Sequence, residues 1–260
     1  MYFMVRWRSL LLDLTKRELE QRYIGSVGGI AWALFRPALI ALSYYFVFDL
    51  VFKVRLHAGA GTSHFGLYLL AGILPWMALN EGIITGTSSL IDAGYILKKT
   101  FLPFELFPAR SILVSALPYI PIIFLFQALL MISTHRLDIS PVILATWIII
   151  QLALTYYAAI LLAILAAAFR DVIQFVALVT NIWIFFSPVF YSLDSVPHSL
   201  RPFLWLNPGT PIILGYQAII LKGVIPGIKT ISFTFGWLIL LFCFSSLVKK
   251  RCGEQLVDWL

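Results

Sequence analysis

Residues 22–46 read RYIGSVGGIAWALFRPALIALSYYF. The stretch starts polar and charged, passes through Gly25, Gly28 and Gly29, and becomes an apolar run with Arg36 and Pro37 near its start. An apolar run of about 20 residues is the length a helix needs to cross a bilayer, and such blocks recur along the chain. Of 260 residues, 61% are hydrophobic and only 12% charged, about half the charged share of a soluble domain. The sequence therefore reads as an all-α integral membrane protein. Residues 22–46 are where the chain turns from the membrane face into its first span.

Six candidate spans follow, over residues 33–52, 65–85, 110–133, 141–168, 172–191 and 229–248; the fourth is long enough to tilt. With both termini cytoplasmic, the inner side collects Arg6, Arg8, Lys16, Arg17, Arg22, Arg36, Lys98, Lys99, Arg110, Arg170, Lys249, Lys250 and Arg251. The outer side holds the shorter set Lys53, Arg55, Arg136, Arg201, Lys222 and Lys229, so the positive-inside bias favours this orientation. His57, His64, His135 and His198 then lie in outer loops, with no ligand pair of the HExxH kind. Cys243 and Cys252 give neither a disulfide framework nor metal spacing, and Cys243 is expected to pack within its apolar block. The net charge of +7 suits cytoplasmic loops beside anionic headgroups. It does not indicate nucleic acid, since no basic run is interleaved with aromatics. No short apolar start is followed by a small-residue cleavage site, so no removable signal peptide is expected.

Outside the spans, residues 1–32 read as an amphipathic interface helix and a turn. Phe3, Trp7, Leu10, Leu11 and Leu14 share one face at helical spacing, with Arg6, Arg8 and Asp13 off it. The loop at about 90–108 mixes apolar residues with Asp92, Lys98, Lys99 and Glu105, as a short helix across the cytoplasmic face would. The loop at about 192–228 is long and apolar, but Pro197, Pro202, Pro208 and Pro211 forbid a single helix. Short helices dipping into the outer half of the bilayer are expected there, and such backbone survives only if buried in protein or lining water.

Three charges fall within the spans. Asp49 has Lys53 four residues on, the spacing of a local ion pair. Glu81 has two readings: a partner for Arg110 or a loop lysine, or the lining of a pathway. Arg36 also has two: a snorkelling headgroup anchor, or a contact to an anionic substrate headgroup. Among the aromatics, Tyr44–Tyr45 and Tyr156–Tyr157 lie too deep for an interfacial belt and want hydroxyl partners or water. A wet path lined by Tyr44, Tyr45, Phe48, Tyr119, Tyr156, Tyr157, Phe186 and Tyr191 would suit sugars, whose C–H faces stack on rings. No GxxxxGK[S/T] loop and no facing carboxylates are present, so neither nucleotide binding of that kind nor catalysis is expected of this chain.

Several stretches together carry a resemblance. RELEQRYIGSVGGIAWALFRPAL, AGILPW, KKTFLPFELFPAR, AAAFRDV, FFSPVFYSLDSVP and LWLNPGTPI stand in order. They resemble the permease subunit of type-2 ABC exporters that move lipid-linked polysaccharides such as O antigen, capsule and teichoic acid. The resemblance spans nearly the whole chain. It implies a homodimer of six-helix subunits in the bacterial cytoplasmic (inner) membrane, with two copies of a separate ABC ATPase. ATP and Mg would sit on that partner, with no cofactor in this chain. It implies that Asp92, Tyr95, Lys98, Lys99, Phe101 and Glu105 belong to an ATPase-coupling element, and that Pro197, Trp205, Asn207, Pro208 and Tyr216 belong to an external gate. A polyprenyl-pyrophosphate carrier would be met by Arg17, Arg22 and Arg36, and the polymer would pass over the aromatics above. Gln217 departs from the pattern, where an arginine after the tyrosine is expected. Two alternatives remain at this level: a drug, antibiotic or lipid exporter of the same superfamily, and a secondary transporter or membrane-embedded enzyme.

Overall fold

The computed structural model describes residues 7–54, 62–136, 138–253 and 255–260. Phe3, Arg6, Arg55 and His57, named above, lie outside the described residues. The described chain is helical throughout, with no strand. Helix α1 spans Arg8–Gln21 and α2 spans Ala31–Tyr45, the latter continued by a wider π turn over Phe46–Val51. Helix α3 spans Phe65–Asp92 and α4 spans Gly94–Lys99. Helices α5 (Leu106–Ala116) and α6 (Tyr119–Ser133) join at Leu117 and Pro118 into one run. Helices α7 (Ser140–Ala168) and α8 (Asp171–Trp183) follow, with a 3-10 turn over Ile184–Phe186. The chain closes with α9 (Arg201–Trp205), α10 (Gly209–Gln217), α11 (Ile228–Cys252) and α12 (Leu256–Trp259).

Five runs are long and apolar enough to cross a membrane: Ala31–Val51, Phe65–Lys99, Leu106–Ser133, Ser140–Ala168 and Ile228–Cys252. The sixth apolar segment, Asp171–Phe186, is shorter, because the chain leaves helical geometry at Ser187, just before Pro188. Helix α3 runs past residue 85, where the polar sequence suggested an end. Its hydroxyls bond back to carbonyls of the preceding turn: Thr85 to Glu81 O (2.8 Å), Thr87 to Ile83 O (2.7 Å) and Ser89 to Gly86 O (2.6 Å). These polar side chains are thereby satisfied inside the helix.

Helix α3 is the hub. It packs most extensively on α7 and α5, and it also touches α2, α8 and α10. Leu69, Ala71, Ile73, Leu74, Leu79 and Leu90 are all but inaccessible. The α3–α7 contact is close: a Cβ at Gly86 would stand 2.6 Å from the Ala159 Cβ, and one at Gly82 would stand 2.9 Å from Thr155 Cγ2. Small residues on facing sides let two backbones approach without a hydrophobic drive. Two buried amides add ties, with Gln151 Nε2 donating to Pro75 O (2.9 Å) and Gln127 Nε2 to Ser140 Oγ (2.5 Å). Asp138 caps α7 through Ser140 N (2.9 Å). The hydrogen bonds from Ser140, with Arg136 nearby, hold its carboxyl below the usual carboxylate range.

The apolar stripe of α1 faces protein. Leu11 is buried against Leu106 and Ala109 of α5, with Trp7 and Leu10 beside them. After α1 the chain turns through Gly25 (φ 80°) and Gly29 (φ 50°), a left-handed backbone that favours glycine. Asp49 sits in the π turn and takes His64 Nδ1 (3.1 Å), not Lys53. The wider turn shifts the four-residue spacing off one face, and Lys53 has already left the helix with φ 50°. Cys243 is exposed on α11, not packed within.

The α3–α7 seam yields a test. Gly86→Val should overpack it, costing about 1–3 kcal/mol and lowering the thermal midpoint of the purified protein in detergent. Ile84→Val, at a partly exposed site two residues away on α3, should leave the midpoint nearly unchanged.

Candidate functional site

Two opposite parts of the bundle carry polar chemistry. The first surrounds Glu81 on α3. Its Oε1 pairs with Arg22 Nη1 (3.3 Å) and its Oε2 accepts from the Tyr119 hydroxyl (3.0 Å). Arg22 Nη2 also reaches Glu18 Oε1 (3.2 Å), and Glu18 Oε2 pairs with Arg110 Nε. The network thus ties α1 and the following turn to α3, α5 and α6. Its charged members are 17–30% exposed at the side chain, so screening by solvent is incomplete and the charges act as a group. Arg36 is close enough for its charge to act on the Tyr119 hydroxyl. It is exposed and makes no ion pair among the described residues. Two carboxylates therefore face three guanidinium groups, and the unpaired one is Arg36. Arg17 stands apart and exposed on α1. Of the three arginines singled out in the sequence, Arg22 and Arg36 converge on Glu81 and Tyr119, and Arg17 does not. In sequence Glu81 reads as a partner for Arg110 or a loop lysine, or as the lining of a pathway; Arg22 holds it, because α1 packs on α5 and Arg22 follows directly at its end.

Beside this network, α4 presents a knob. Tyr95, Ile96, Lys98, Lys99 and Phe101 are exposed, while Leu97 and Ala93 are buried. Lys99 Nζ bonds the Tyr95 hydroxyl and lies 4.0 Å from its ring centroid. Asp92 accepts from Ser88 Oγ (2.9 Å). Glu105 turns inward and binds Lys249 Nζ of α11 (2.5 Å). Leu256 and Leu260 brace the knob from behind, with Leu260 packed beside Gly94. A supported, exposed patch of aromatic and basic residues suits docking of a partner protein.

The second polar part is a hairpin between α8 and α11. Residues 187–191 leave the helix, and their carbonyls are gathered by buried side chains. Tyr68 OH donates to Pro188 O (3.1 Å) and Tyr191 O (3.0 Å), and Gln217 Nε2 donates to Pro188 O (2.9 Å). Asn207 Nδ2 donates to Phe186 O and Ser187 Oγ, both 2.9 Å, and its Oδ1 accepts from Gly209 N (2.7 Å). The hairpin tip at Gly209 rests on Trp76, whereas Tyr68 holds its arm roughly two turns away along α3, about 12 Å. The segment therefore dips between the helices and returns, as irregular backbone can where protein satisfies it. Tyr216 is fully buried, Trp205 is buried against Phe233, and Pro197 stays exposed. Gln217, noted above as a departure, is one of the ties.

The sequence-selected aromatics form no single lining within one chain. Tyr44 stacks on Phe48, which meets Phe65 of α3. Tyr45 lies beside Asp49 and Gly66. Tyr156 and Tyr157 meet edge to face, and Tyr157 reaches Phe242 of α11. Tyr191 donates to Phe185 O (3.2 Å). A cavity of about 790 Å³ opens between α3, α7, α8 and α11, with walls including Leu154, Leu162, Phe175, Trp183 and Trp237. Of the selected aromatics only Phe186 lines it. Such walls suit hydrocarbon, not sugar hydroxyls.

A helical bundle with several membrane-length runs and a dipping hairpin is the frame of a multi-pass membrane protein. The chain belongs to the ABC-2 type transporter family, whose membrane-domain model matches residues 10–221. It is similar to an O-antigen export system permease protein RfbA of Myxococcus xanthus, 28% identical over 96% of this chain and 95% of the relative. It is also similar to two proteins of the same description from Klebsiella pneumoniae, 28% and 26% identical, each over 83% of this chain and 82% of the relative.

The ion network yields a second test. Arg22→Ala and Glu81→Ala, combined in a double-mutant cycle, should show coupling on the order of 1 kcal/mol in detergent unfolding. Glu81→Ala should also quicken limited trypsin cleavage in the turn after α1. Additive effects in the cycle would show that the pair is not coupled.

Proposed function

We propose that this chain is the membrane subunit of an ATP-driven exporter that moves an O-antigen-like polysaccharide, linked to a polyprenyl pyrophosphate, across the bacterial inner membrane. Family membership, together with three relatives described as O-antigen export permeases along most of their length, carries this reading. In it the subunit crosses the membrane six times with both termini cytoplasmic, and the short segment Asp171–Phe186 is one of the crossings. Two copies form a homodimer and engage two copies of a separate ABC ATPase, which holds the ATP and Mg.

The mechanism follows from the two polar parts. The carrier pyrophosphate arrives at the Glu81 end, where Arg36 is the unpaired cation and Arg22 is shared between two carboxylates. An incoming anion is drawn to Arg36 and competes with Glu18 and Glu81 for Arg22. Because Arg22 is tied to α3, that competition is felt at the hub of the bundle. The knob at Tyr95, Lys98, Lys99 and Phe101 receives the motion of the ATPase, and the Glu105–Lys249 pair and α12 pass it to α11 and α7. The glycan moves along the interface between the two copies over aromatic faces, and the hairpin at residues 192–228 closes its exit. Tyr68, Asn207 and Gln217 hold that hairpin in the closed arrangement.

The reading is tested by reconstituting the chain with its ATPase in vesicles. Glycan-dependent ATP hydrolysis is expected, and its absence, together with unimpaired glycan export in a deletion strain, would overturn it. Arg36→Ala should leave the folded oligomer intact and lower export about tenfold, the loss of one charge-assisted contact. An export rate equal to the parent's would make Arg36 a simple headgroup anchor. Phe101→Ala with Tyr95→Ala should weaken co-purification of the ATPase while leaving the thermal midpoint of the permease alone unchanged, since both side chains are exposed.

A further inference from the structure

The end of the hairpin away from Glu81 carries a recess to which the export reading assigns no ligand. It has a volume of about 570 Å³, and His198, Arg201, Trp205, Lys229 and Phe233 line it. Trp205 forms the shelf, its ring 5.0 Å from that of Phe233 and tilted by 47°. Lys229 Nζ lies 4.5 Å above the Trp205 ring centroid. Arg201 is held still by two backbone acceptors: its Nε donates to Val196 O and its Nη2 to Asp194 O, both 2.9 Å. Its remaining amino group makes no hydrogen bond among the described residues.

We propose that this recess binds a phosphate-bearing ligand. Three observations bear on the class. No carboxylate lines the recess, and His198, Arg201 and Lys229 form no ion pair among the described residues. At the other end Arg22, Arg110 and Lys249 each have a carboxylate, and Arg36 has none among the described residues. Second, the side chains on offer are donors. Lysine and arginine have no acceptor and a neutral imidazole has one, so a neutral sugar, which must also donate several hydroxyl protons, finds at most one side-chain partner among these three, whereas a phosphate group accepts from every one. Third, Lys229 stands in the first turn of α11, whose N-cap Gly227 supplies no side-chain acceptor. The positive end of a long helix dipole therefore adds to the same rim. The cation–π contact now occupying Lys229 is weak at an exposed site, so a phosphate oxygen displaces it readily. The fixed Arg201 fork and the swinging Lys229 then hold the anion from two sides, with the apolar rings of Trp205 and Phe233 beneath whatever carries it. A lipid headgroup and a soluble phosphate compound share this chemistry.

The test uses the full-length chain in nanodiscs. In one arm, discs of zwitterionic phosphatidylcholine are titrated with inorganic pyrophosphate and the heat is measured. In the other, discs doped with phosphatidylglycerol are analysed by native mass spectrometry for retained lipid. Lys229→Gln keeps the stem over Trp205 and removes the charge without touching the backbone bonds of Arg201. Saturable pyrophosphate binding that weakens about tenfold in Lys229→Gln, one charge-assisted contact, supports a soluble phosphate ligand. Retained phosphatidylglycerol that Lys229→Gln releases supports a headgroup. No binding in either arm, or binding indifferent to Lys229→Gln, overturns the proposal. Both arms are run in an Arg36→Ala background, which removes the anion contact proposed at the Glu81 end, so the difference made by Lys229→Gln reads this recess alone.

Discussion

The bundle depends on the contact between α3 and α7. In an apolar surround, helices gain little from burying more apolar surface, and association comes from close packing and from satisfied polar groups. Here Gly82 and Gly86 meet Thr155 and Ala159, and the two backbones come near enough for Gln151 to reach Pro75 O. Proline at position 75 has no N–H to donate to the carbonyl one turn before it, and the Gln151 amide ties down the proline's own carbonyl, one turn further along α3. With α3 fixed in this way, both polar parts have a common frame: Glu81 toward one end, Tyr68 toward the other.

That frame explains how the chain tolerates so much irregular backbone. Residues 186–191 expose carbonyls among apolar helices, an arrangement that costs several kcal/mol per unsatisfied group in lipid. Tyr68, Asn207 and Gln217 satisfy them from two separate elements, so the hairpin is held by α3 and by its own return arm. The same logic applies at the Glu81 end, where Glu18, Arg22, Glu81 and Arg110 form one network with Tyr119. Partial exposure keeps this network responsive, because a charge with solvent access can exchange partners more cheaply than a sealed one.

Much of the plan was legible in the chain. Block length gave the membrane class, and the helical stripe at Trp7, Leu10 and Leu11 gave α1. The prolines at 197, 202, 208 and 211 excluded one helix after α8, as observed. Arg36 stood out as a charge in an apolar run and remains the unpaired cation. Other features were hidden because they depend on distant partners. Asp49 was read with Lys53 by spacing, but a π turn breaks that spacing and His64 takes its place. Glu18 looked like one acid among several on a polar helix; only folding back against α5 gives it Arg22 and Arg110. Gln217 looked like a loss of charge, yet its amide is what a buried carbonyl needs.

By itself, the sequence determined that this chain lives in a membrane, where its helices run and where its backbone must turn. Composition and periodicity act locally, through transfer free energy and the need of each peptide group for a partner, so they are written in consecutive residues. The tertiary structure decided which charges meet, which aromatic rings share a wall and which carbonyls are held. Those outcomes depend on helices brought within hydrogen-bonding distance by residues far apart in the chain: Glu81 and Arg22, Tyr68 and Pro188, Trp205 and Lys229. No local pattern encodes such pairs, because the interaction exists only once small residues on α3 and α7 have let the helices close.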